Sequence, residues 1–582
     1  MRIKDVENLT GLTRKSIRFY ESKGLLNVKR SDNSFRDYDS QVVRRLQAIA
    51  TLRKVGVAIS DIQLWTDQVI TLDEMLRKRL SELKDHTELT ASQTVLCREL
   101  LATGNLDNFS TPHSPQLLDE EEHVTEWSPD AQLSLGLDIG TSTISSVILN
   151  LSTGTIVAAY TIQNDTYISS NQPWEKCQDA TKIMDRLEKL TNSLLSRYPA
   201  IRFIGLTGQM HGILYLDKQN QPCSPLYTWQ DWRANCGALS TCQLLRQKTG
   251  LSIPAGYGLA THCHLMRTGT LPVEAVRLCT IMDYAAWKLS GFQTCRMHST
   301  NAAGLGFFDP KTNCFSPDIL KEAGIAPGFL PSITNRQEIL GCYRGIQVSV
   351  AIGDNQASFL GTVRDSSSMV LANFGTGSQI SLLADAATAA ACTSSGDIEI
   401  RPLLENTYLL SGSALCGGRA YALLEQFFRS VVAASDPSAP AQYEILNRMA
   451  IQGLQQDRLP IIRTTFCGTR RDASIRGEIT GLGEENFTPE AFTAGTLLGM
   501  CQELLDMYQR MPKGSIRTLV ASGNGVRRNP ALRQALQQTF QMDVCIPVHR
   551  EEAAFGAAMF AGSAGGFSTM EQLSQMCIHY QP

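Results

Sequence analysis

The first apolar positions of the chain recur at helical spacing. Ile3, Val6 and Leu9 to Thr10 mark one face of a short helix that Gly11 interrupts. Thr13 is placed to cap a second helix running to about Ser22, with Ile17 and Tyr20 three apart on it and Gly24 beyond its end. The polar stretch from Arg30 to Tyr38, with Asn33-Ser34 at a turn, predicts two short strands. Val42, Leu46, Ile49 and Leu52 define an amphipathic helix that Gly56 stops. From Thr71 to Leu101 there is no Gly or Pro, and Val69, Leu72, Leu76, Leu80 and Leu83 recur every three or four residues. This predicts one continuous helix of about 46 Å, at 1.5 Å per residue. Its apolar stripe is narrow enough to need a partner helix, so a homodimer is expected. The stripe weakens after Leu83, where Thr87 and Thr90 follow.

Residues 103–131 contain Pro112, Pro115 and Pro129 and the acidic run Asp119-Glu120-Glu121-Glu122, the composition of a linker. Beyond it the pattern repeats. Leu133–Leu137 runs into Asp138-Ile139-Gly140-Thr141 and a second strand, Ile144–Leu149. Met369–Ala372 runs into Asn373-Phe374-Gly375-Thr376 and then Gln379–Leu383. A strand–[Asp/Asn]-x-Gly-Thr–strand unit that occurs twice implies two similar lobes facing each other. The expected organisation is a head over 1–70, a long helix over 71–102, a linker over 103–131, and two lobes over 132–368 and 369–582.

Composition sharpens this division. A chain of 582 residues is too long for one hydrophobic core. Its net charge of -3 hides an asymmetry: residues 1–54 hold 13 Lys/Arg against 6 Asp/Glu, a net of +7, while residues 107–130 hold 7 Asp/Glu and no Lys or Arg. From 131 onward there are 35 of each. A basic head on a neutral body asks for a polyanion at one end only. Of the 16 cysteines, 15 follow residue 130 and none forms a CxxC pair, so neither a zinc ribbon nor a thioredoxin-like site is expected. His262-Cys263-His264 has no fourth ligand nearby and reads as packing. With no secretory apolar region at its start and no run of about 18 apolar residues, the chain reads as a cytoplasmic protein with reduced thiols and no membrane partner.

The candidate chemistry lies at the turns. A Gly-Thr turn between strands gathers backbone N–H groups and hydroxyls into a nest for phosphate oxygens, and here there are two in equivalent places. No GxxxxGK[ST] loop and no complete GxGxxG occurs, which argues against a P-loop kinase and a dinucleotide fold. Ile352-Gly353-Asp354-Asn355-Gln356 follows an apolar strand. Asp354 is placed either to take a proton from a substrate hydroxyl or to cap the next helix. The glycines of Ala521-Ser522-Gly523-Asn524-Gly525 would let a purine lie against backbone, with Gly417-Gly418 as an opposite wall.

Residues 133–582 resemble the FGGY carbohydrate kinases through an ordered set: DIGTST at 138–143, GLTGQMHG at 205–212, WQDWR at 229–233, GDNQ at 353–356, NFGTGS at 373–378, SGSALCGG at 411–418, GTRRDASIRG at 468–477, SGNGVRRNP at 522–530 and EEAAFGAAMFA at 551–561. The resemblance implies an actin-like, ribonuclease H-like α/β fold in two lobes, and ATP and Mg²⁺ as cofactors. It implies Asp354 as catalytic base and Asp138 as a carboxylate that helps hold Mg²⁺ through water, with Asp354 beside it. Gly140, Thr141 and Ser142 match the first phosphate loop and Thr376 and Gly377 the second. Gly523, Gly525 and Asn529 match the adenosine stretch, with Gly417 near the nucleotide. Met210 and His211 match a sugar contact of the xylulose-kinase branch; Trp229, Asp231, Arg233 and Asn355 are further expected sugar neighbours. The runs Tyr227-Thr228-Trp229-Gln230-Asp231 and Gly256-Tyr257-Gly258-Leu259-Ala260-Thr261 are most similar to the sedoheptulokinase branch, which implies a seven-carbon ketose. Trp232 departs from the small residue usual there, which leaves a pentulose open.

Residues 1–68 resemble the MerR winged helix-turn-helix domains through Ile3-Lys4-Asp5-Val6, Thr13-Arg14-Lys15-Ser16-Ile17-Arg18-Phe19-Tyr20-Glu21, Lys23-Gly24-Leu25-Leu26, Phe35-Arg36-Asp37-Tyr38 and Leu46-Gln47-Ala48-Ile49. The family has Gly where Ser34 precedes Phe35. The resemblance implies duplex DNA as partner, read by Arg14, Lys15, Arg18 and Tyr20 on the second helix and by Arg36 and Tyr38 on the wing. Three functions are compatible with this fusion: the first two are a sugar-responsive regulator that phosphorylates its sugar and a metabolic kinase whose head only dimerises. A sugar-binding but inactive kinase body is the third.

Overall fold

The computed structural model describes residues 1, 3–10, 12–26, 28–30, 36–84, 91–104, 127–392, 398–437, 439–469, 472, 474–512 and 514–581. The acidic run, the turn at Asn33-Ser34, and Thr87 and Thr90 lie outside them. The head contains helices Ile3–Thr10, Arg14–Ser22, Ser40–Lys54 and Ile59–Thr66, with paired strands Lys29–Arg30 and Arg36–Asp37 as the wing. Thr13 caps the second helix through the amide of Ser16. Ile17, Leu46, Ile49 and Leu52 are fully buried. Gly24 and Gly56 end their helices at φ 70° and 79°, the left-handed region that glycine enters without a Cβ clash.

The single long helix is not what forms. Two helices, Leu72–Lys84 and Ala91–Thr103, pack on each other. The Cys97 thiol reaches the carbonyl of Leu76 at 3.2 Å; along one straight helix those residues would stand about 31 Å apart. The reason lies in the stripe: Met75, Leu76 and Leu83 are buried together with Cys97 and Leu100 of the second helix. A return of the same chain therefore covers the face that seemed to require a partner helix, and the argument for a dimer through this helix lapses.

The body is built on two matching six-stranded sheets. In the N-terminal lobe the strand order is Ile339–Tyr343, Ile346–Ser349, Ile201–Gly208, Leu133–Ile139, Thr143–Asn150, Thr155–Gln163. In the C-terminal lobe it is Ile398–Pro402, Thr407–Ala414, Ser378–Asp385, Met369–Phe374, Thr518–Ser522, Asp543–Cys545. In each, the strand that precedes the Gly-Thr turn is antiparallel to its successor and parallel to a strand on its other side. The chain does not stay in the C-terminal lobe to its end, as the 369–582 division supposed. Helix Glu552–Ala564 returns to pack on strands Leu133–Ile139 and Ile201–Gly208 and on helix Asp354–Thr362. Only small residues allow this approach: a Cβ on Gly136 or Gly205 would lie 1.8 or 1.9 Å from a carbonyl oxygen of that helix.

The head rests on the edge strand Thr155–Gln163. Tyr160 donates to Gln63 at 3.0 Å and meets the hydroxyl of Tyr198 at 2.7 Å. Lys78 pairs with Asp61 at 2.7 Å and donates to the carbonyl of Thr161 at 3.1 Å. Arg197 binds Asp67 and the carbonyl of Lys23, and Arg186 binds Glu74.

Candidate active site

Gly353 turns the chain into helix Asp354–Thr362, which sets Asp354 in the first turn, where free amides favour an anion. The capping alternative is not realised, since no side chain caps this helix. The Asp354 carboxylate instead accepts from the amide of Asn355 at 2.6 Å and from that of Met210. Burial raises its pKa to about 6 against those amides and the charge of Arg401. A Cβ on Gly353 would lie 2.7 Å from the Met210 sulfur; Met210, 5% exposed, packs directly on the loop of Asp354.

Asp138 ends the strand Leu133–Ile139. Burial, then the charges of Asp354 and Glu551, push its pKa up to about 8. A carboxyl group raised by two neighbouring carboxylates lies where a cation would relieve the repulsion. Among the described residues no group of three or more His, Cys, Asp or Glu side chains could hold a metal ion by itself. Carboxylates near Asp138 suit Mg²⁺, which keeps several waters and takes phosphate oxygens as ligands.

The first Gly-Thr loop, expected to bind phosphate, is fastened from outside. Asn164 donates its side-chain amide to the carbonyl of Gly140 at 2.7 Å and its backbone N–H to that of Ser142 at 2.8 Å. Gln178 donates to the carbonyl of Thr141 at 2.9 Å, and the Trp229 indole to the Thr141 hydroxyl at 3.0 Å. In the second loop the Gly418 amide donates to the carbonyl of Gly375 at 2.9 Å and that of Arg419 to Thr376 at 3.1 Å. Gly417 packs on this loop; a Cβ there would lie 2.4 Å from the carbonyl carbon of Gly377. Gly523, at φ 94°, presses on the carbonyl of Phe374, and Gly525 lies near the same group. Asn529 is buried and caps the helix Pro530–Phe540 through the amide of Leu532 at 3.1 Å.

Among the residues expected near the sugar, His211 adopts φ 73°, bonds Gly304 through Nδ1 at 2.8 Å, and stacks on Tyr257 with ring centroids 4.3 Å apart. Trp229 is 47% exposed and open to a ligand. Asp231 and Arg233 occupy each other instead. Arg233 donates from Nε and Nη2 to the two Asp231 oxygens, both at 2.8 Å, while its guanidinium lies over the Tyr227 ring. With Asp231 at 0% exposure, the pair acts as the support of the loop that carries Trp229.

Glu551, Asn164, Gln178 and Arg401 are absent from the sequence reading of the site. Only Glu551 lay inside a quoted motif, EEAAFGAAMFA; the other three are single side chains on separate strands or loops, and nothing local marks them.

In the head, Arg14, Lys15 and Arg18 are exposed on the second helix, and Arg14 pairs with Glu7. Arg36 is exposed and held by both oxygens of Glu21. Tyr20 and Tyr38 do not fulfil the expectation of DNA contact. They are 5% and 0% exposed, members of the head's core.

Comparison with known proteins agrees with this architecture. The model of the FGGY family of carbohydrate kinases, N-terminal domain, matches residues 133–372, and that of its C-terminal domain matches 372–565. The MerR HTH family regulatory protein model matches 1–69. Sedoheptulokinase of Mus musculus is 27% identical over 73% of this chain and 96% of its own length. Xylulose kinase of Staphylococcus xylosus is 23% identical over 77% and 94%. Among solved structures, a xylulose kinase from Rhodospirillum rubrum superposes with a TM-score of 0.65 at 20% identity, covering 78% of this chain and 93% of that one. The chain thus belongs to the FGGY family of carbohydrate kinases and carries a MerR-type helix-turn-helix domain at its N-terminus.

Proposed function

We propose that this carbohydrate kinase transfers the γ-phosphoryl group of ATP to a terminal hydroxyl of a ketose, with Asp354 as the base. The observation that carries the reading is the setting of Asp354: a half-buried carboxylate at a helix N-terminus, held by the amides of Asn355 and Met210, in the lobe of the first phosphate loop. Asp138, and Asp354 through water, would hold Mg²⁺, which supplies charge neutralisation to the phosphates when bound. Phosphoryl transfer needs little beyond positioning and charge stabilisation. Residues Gly140 to Ser142 and Gly375 to Gly377 would cradle the phosphates, Gly523 and Gly525 would face the adenosine, and His211 and Trp229 would face the sugar. A seven-carbon ketose is favoured by the sedoheptulokinase relatives, with a pentulose second on the xylulose kinase relatives. A panel of ketoses assayed with ATP–Mg²⁺ by coupled ADP release, with D-sedoheptulose turning over at the highest kcat/KM, tests this; preference for D-xylulose would replace the substrate, and no turnover of any ketose would overturn the reaction.

The head binds duplex DNA in this reading, supported by the exposed Arg14, Lys15 and Arg18 on its second helix. Arg18→Ala is expected to weaken binding and, as a phosphate contact, to reduce the salt slope by about one. Fluorescence anisotropy across a salt titration reads it, and an unchanged affinity and slope would remove Arg18 from the interface.

The two functions are coupled in this reading. Support comes from continuity between head and phosphate loop. Glu74, on the helix Leu72–Lys84 that packs against the last helix of the head, binds Arg186. Arg186 also holds the carbonyl of Gln163 at 2.9 Å. The next residue, Asn164, is the one that fastens the first phosphate loop. DNA affinity at saturating kinase ligands is the readout.

A further inference from the structure

Helix Asp354–Thr362 belongs to the N-terminal lobe, yet its next two side chains are gripped by the other lobe. Arg401 donates from Nη1 to the Asn355 side-chain oxygen at 3.0 Å. Asn355 donates its amide to the side-chain oxygen of Gln379. Gln356 donates to the carbonyl of Pro402 at 3.0 Å. The other arms of this clasp are fixed as well. Gln379 donates to the Ser413 hydroxyl at 3.0 Å, and Arg401 places Nε and Nη2 on one Glu399 oxygen at 2.9 and 2.6 Å.

Two features set this apart from ordinary lobe packing. Arg401 is 9% exposed; a guanidinium is buried at considerable cost unless paired. Glu399 offsets that cost, and the third bond of the fork goes to a neutral amide whose backbone N–H sits on Asp354 at 2.6 Å. Gln379 follows Gly377 by two residues, on the strand that leaves the second phosphate loop. The Asn355 amide, which the sequence reading assigned to the sugar, thus has both its oxygen and its nitrogen engaged by the C-terminal lobe.

We infer that Arg401 and Gln379 are positioning residues that fix Asn355, and through it Asp354, so that the base is aimed only while the C-terminal lobe and its phosphate loop sit against the N-terminal lobe. The inference deepens the proposed function and rests on Asp354 being the base. It assigns to two side chains on different strands one shared target, and that is testable.

The test uses the full chain with a panel of ketoses that includes D-sedoheptulose and D-xylulose, and ATP–Mg²⁺. Arg401→Met is expected to lower kcat about 10- to 100-fold, the scale of a misplaced reacting group, with both KM values within about threefold of wild type. Arg401→Lys keeps the charge without the fork and is expected to stay near the Met variant. Gln379→Leu is expected to lower kcat in the same way, and the Gln379→Leu/Arg401→Met double variant to be no slower than the slower single, since both act through one amide. Should Arg401→Met fail to fold, Gln379→Leu with Arg401→Lys carries the same comparison. A raised sugar KM at unchanged kcat would make Arg401 a sugar ligand and overturn the inference, as would wild-type kcat in both singles or losses that multiply in the double variant. A wild type inactive on every ketose would instead overturn the reading of Asp354 on which the inference stands.

Discussion

Asp354→Asn is expected to lower turnover by about 10²- to 10⁴-fold, the usual contribution of a general base, while leaving the fold and nucleotide binding close to wild type. The side chain keeps its size and retains an oxygen for the amides of Asn355 and Met210. What it loses is the ability to take a proton. The substitution also removes one of the charges that raise the pKa of Asp138, so no stability penalty is expected from repulsion. Turnover measured beside thermal melting separates the two effects. A variant that melts as wild type and turns over as wild type would take the base away from Asp354.

Arg233→Met is the second large effect, and it acts on stability. Arg233 is the bidentate partner of Asp231, which is 0% exposed and otherwise held by the backbone amides of Lys176 at 2.9 Å and Arg233 at 3.1 Å and by the Cys177 thiol at 3.7 Å. Removing one member of a buried pair leaves an uncompensated charge at a cost of about 3–5 kcal/mol. The kinase body is therefore expected to unfold at markedly lower urea, with a raised sugar KM because the loop of Trp229 loses its support. The Asp231→Leu/Arg233→Met double variant is expected to recover much of the stability, since no charge is then left unpaired. Equal midpoints for wild type and Arg233→Met in urea melts would show that the pair contributes nothing.

Much of this architecture was legible because the relevant signals are local. The Gly-Thr turns, the strand before Asp354 and the helices of the head are each written in a short run of residues. What escaped the sequence depends on contacts across the fold. The chain's return after residue 84 was hidden because an unbroken helical pattern says nothing about reversal; Cys97 against Leu76 reveals it. Tyr20 and Tyr38 stand in motifs that resemble DNA readers, but periodicity could not say that both face the core. Asp231 and Arg233, two residues apart, were read as sugar neighbours because their mutual salt bridge is a property of the folded loop. Glu552–Ala564 was placed with the C-terminal lobe by chain order, whereas its small residues fit it against Gly136 and Gly205 of the other.

The claim that head and kinase work as one device is tested most directly by linkage. The full chain is titrated with duplex DNA from immediately upstream of its own coding sequence, with and without saturating D-sedoheptulose and a non-hydrolysable ATP analogue. Sugar affinity is then measured with and without saturating DNA. If the contacts from Glu74 through Arg186 to Asn164 couple the two functions as proposed, DNA affinity is expected to change roughly 5- to 150-fold, the range of about 1–3 kcal/mol typical of coupled sites, with an equal factor in the reciprocal experiment. Identical affinities in both directions would contradict the coupling and leave two independent functions on one chain.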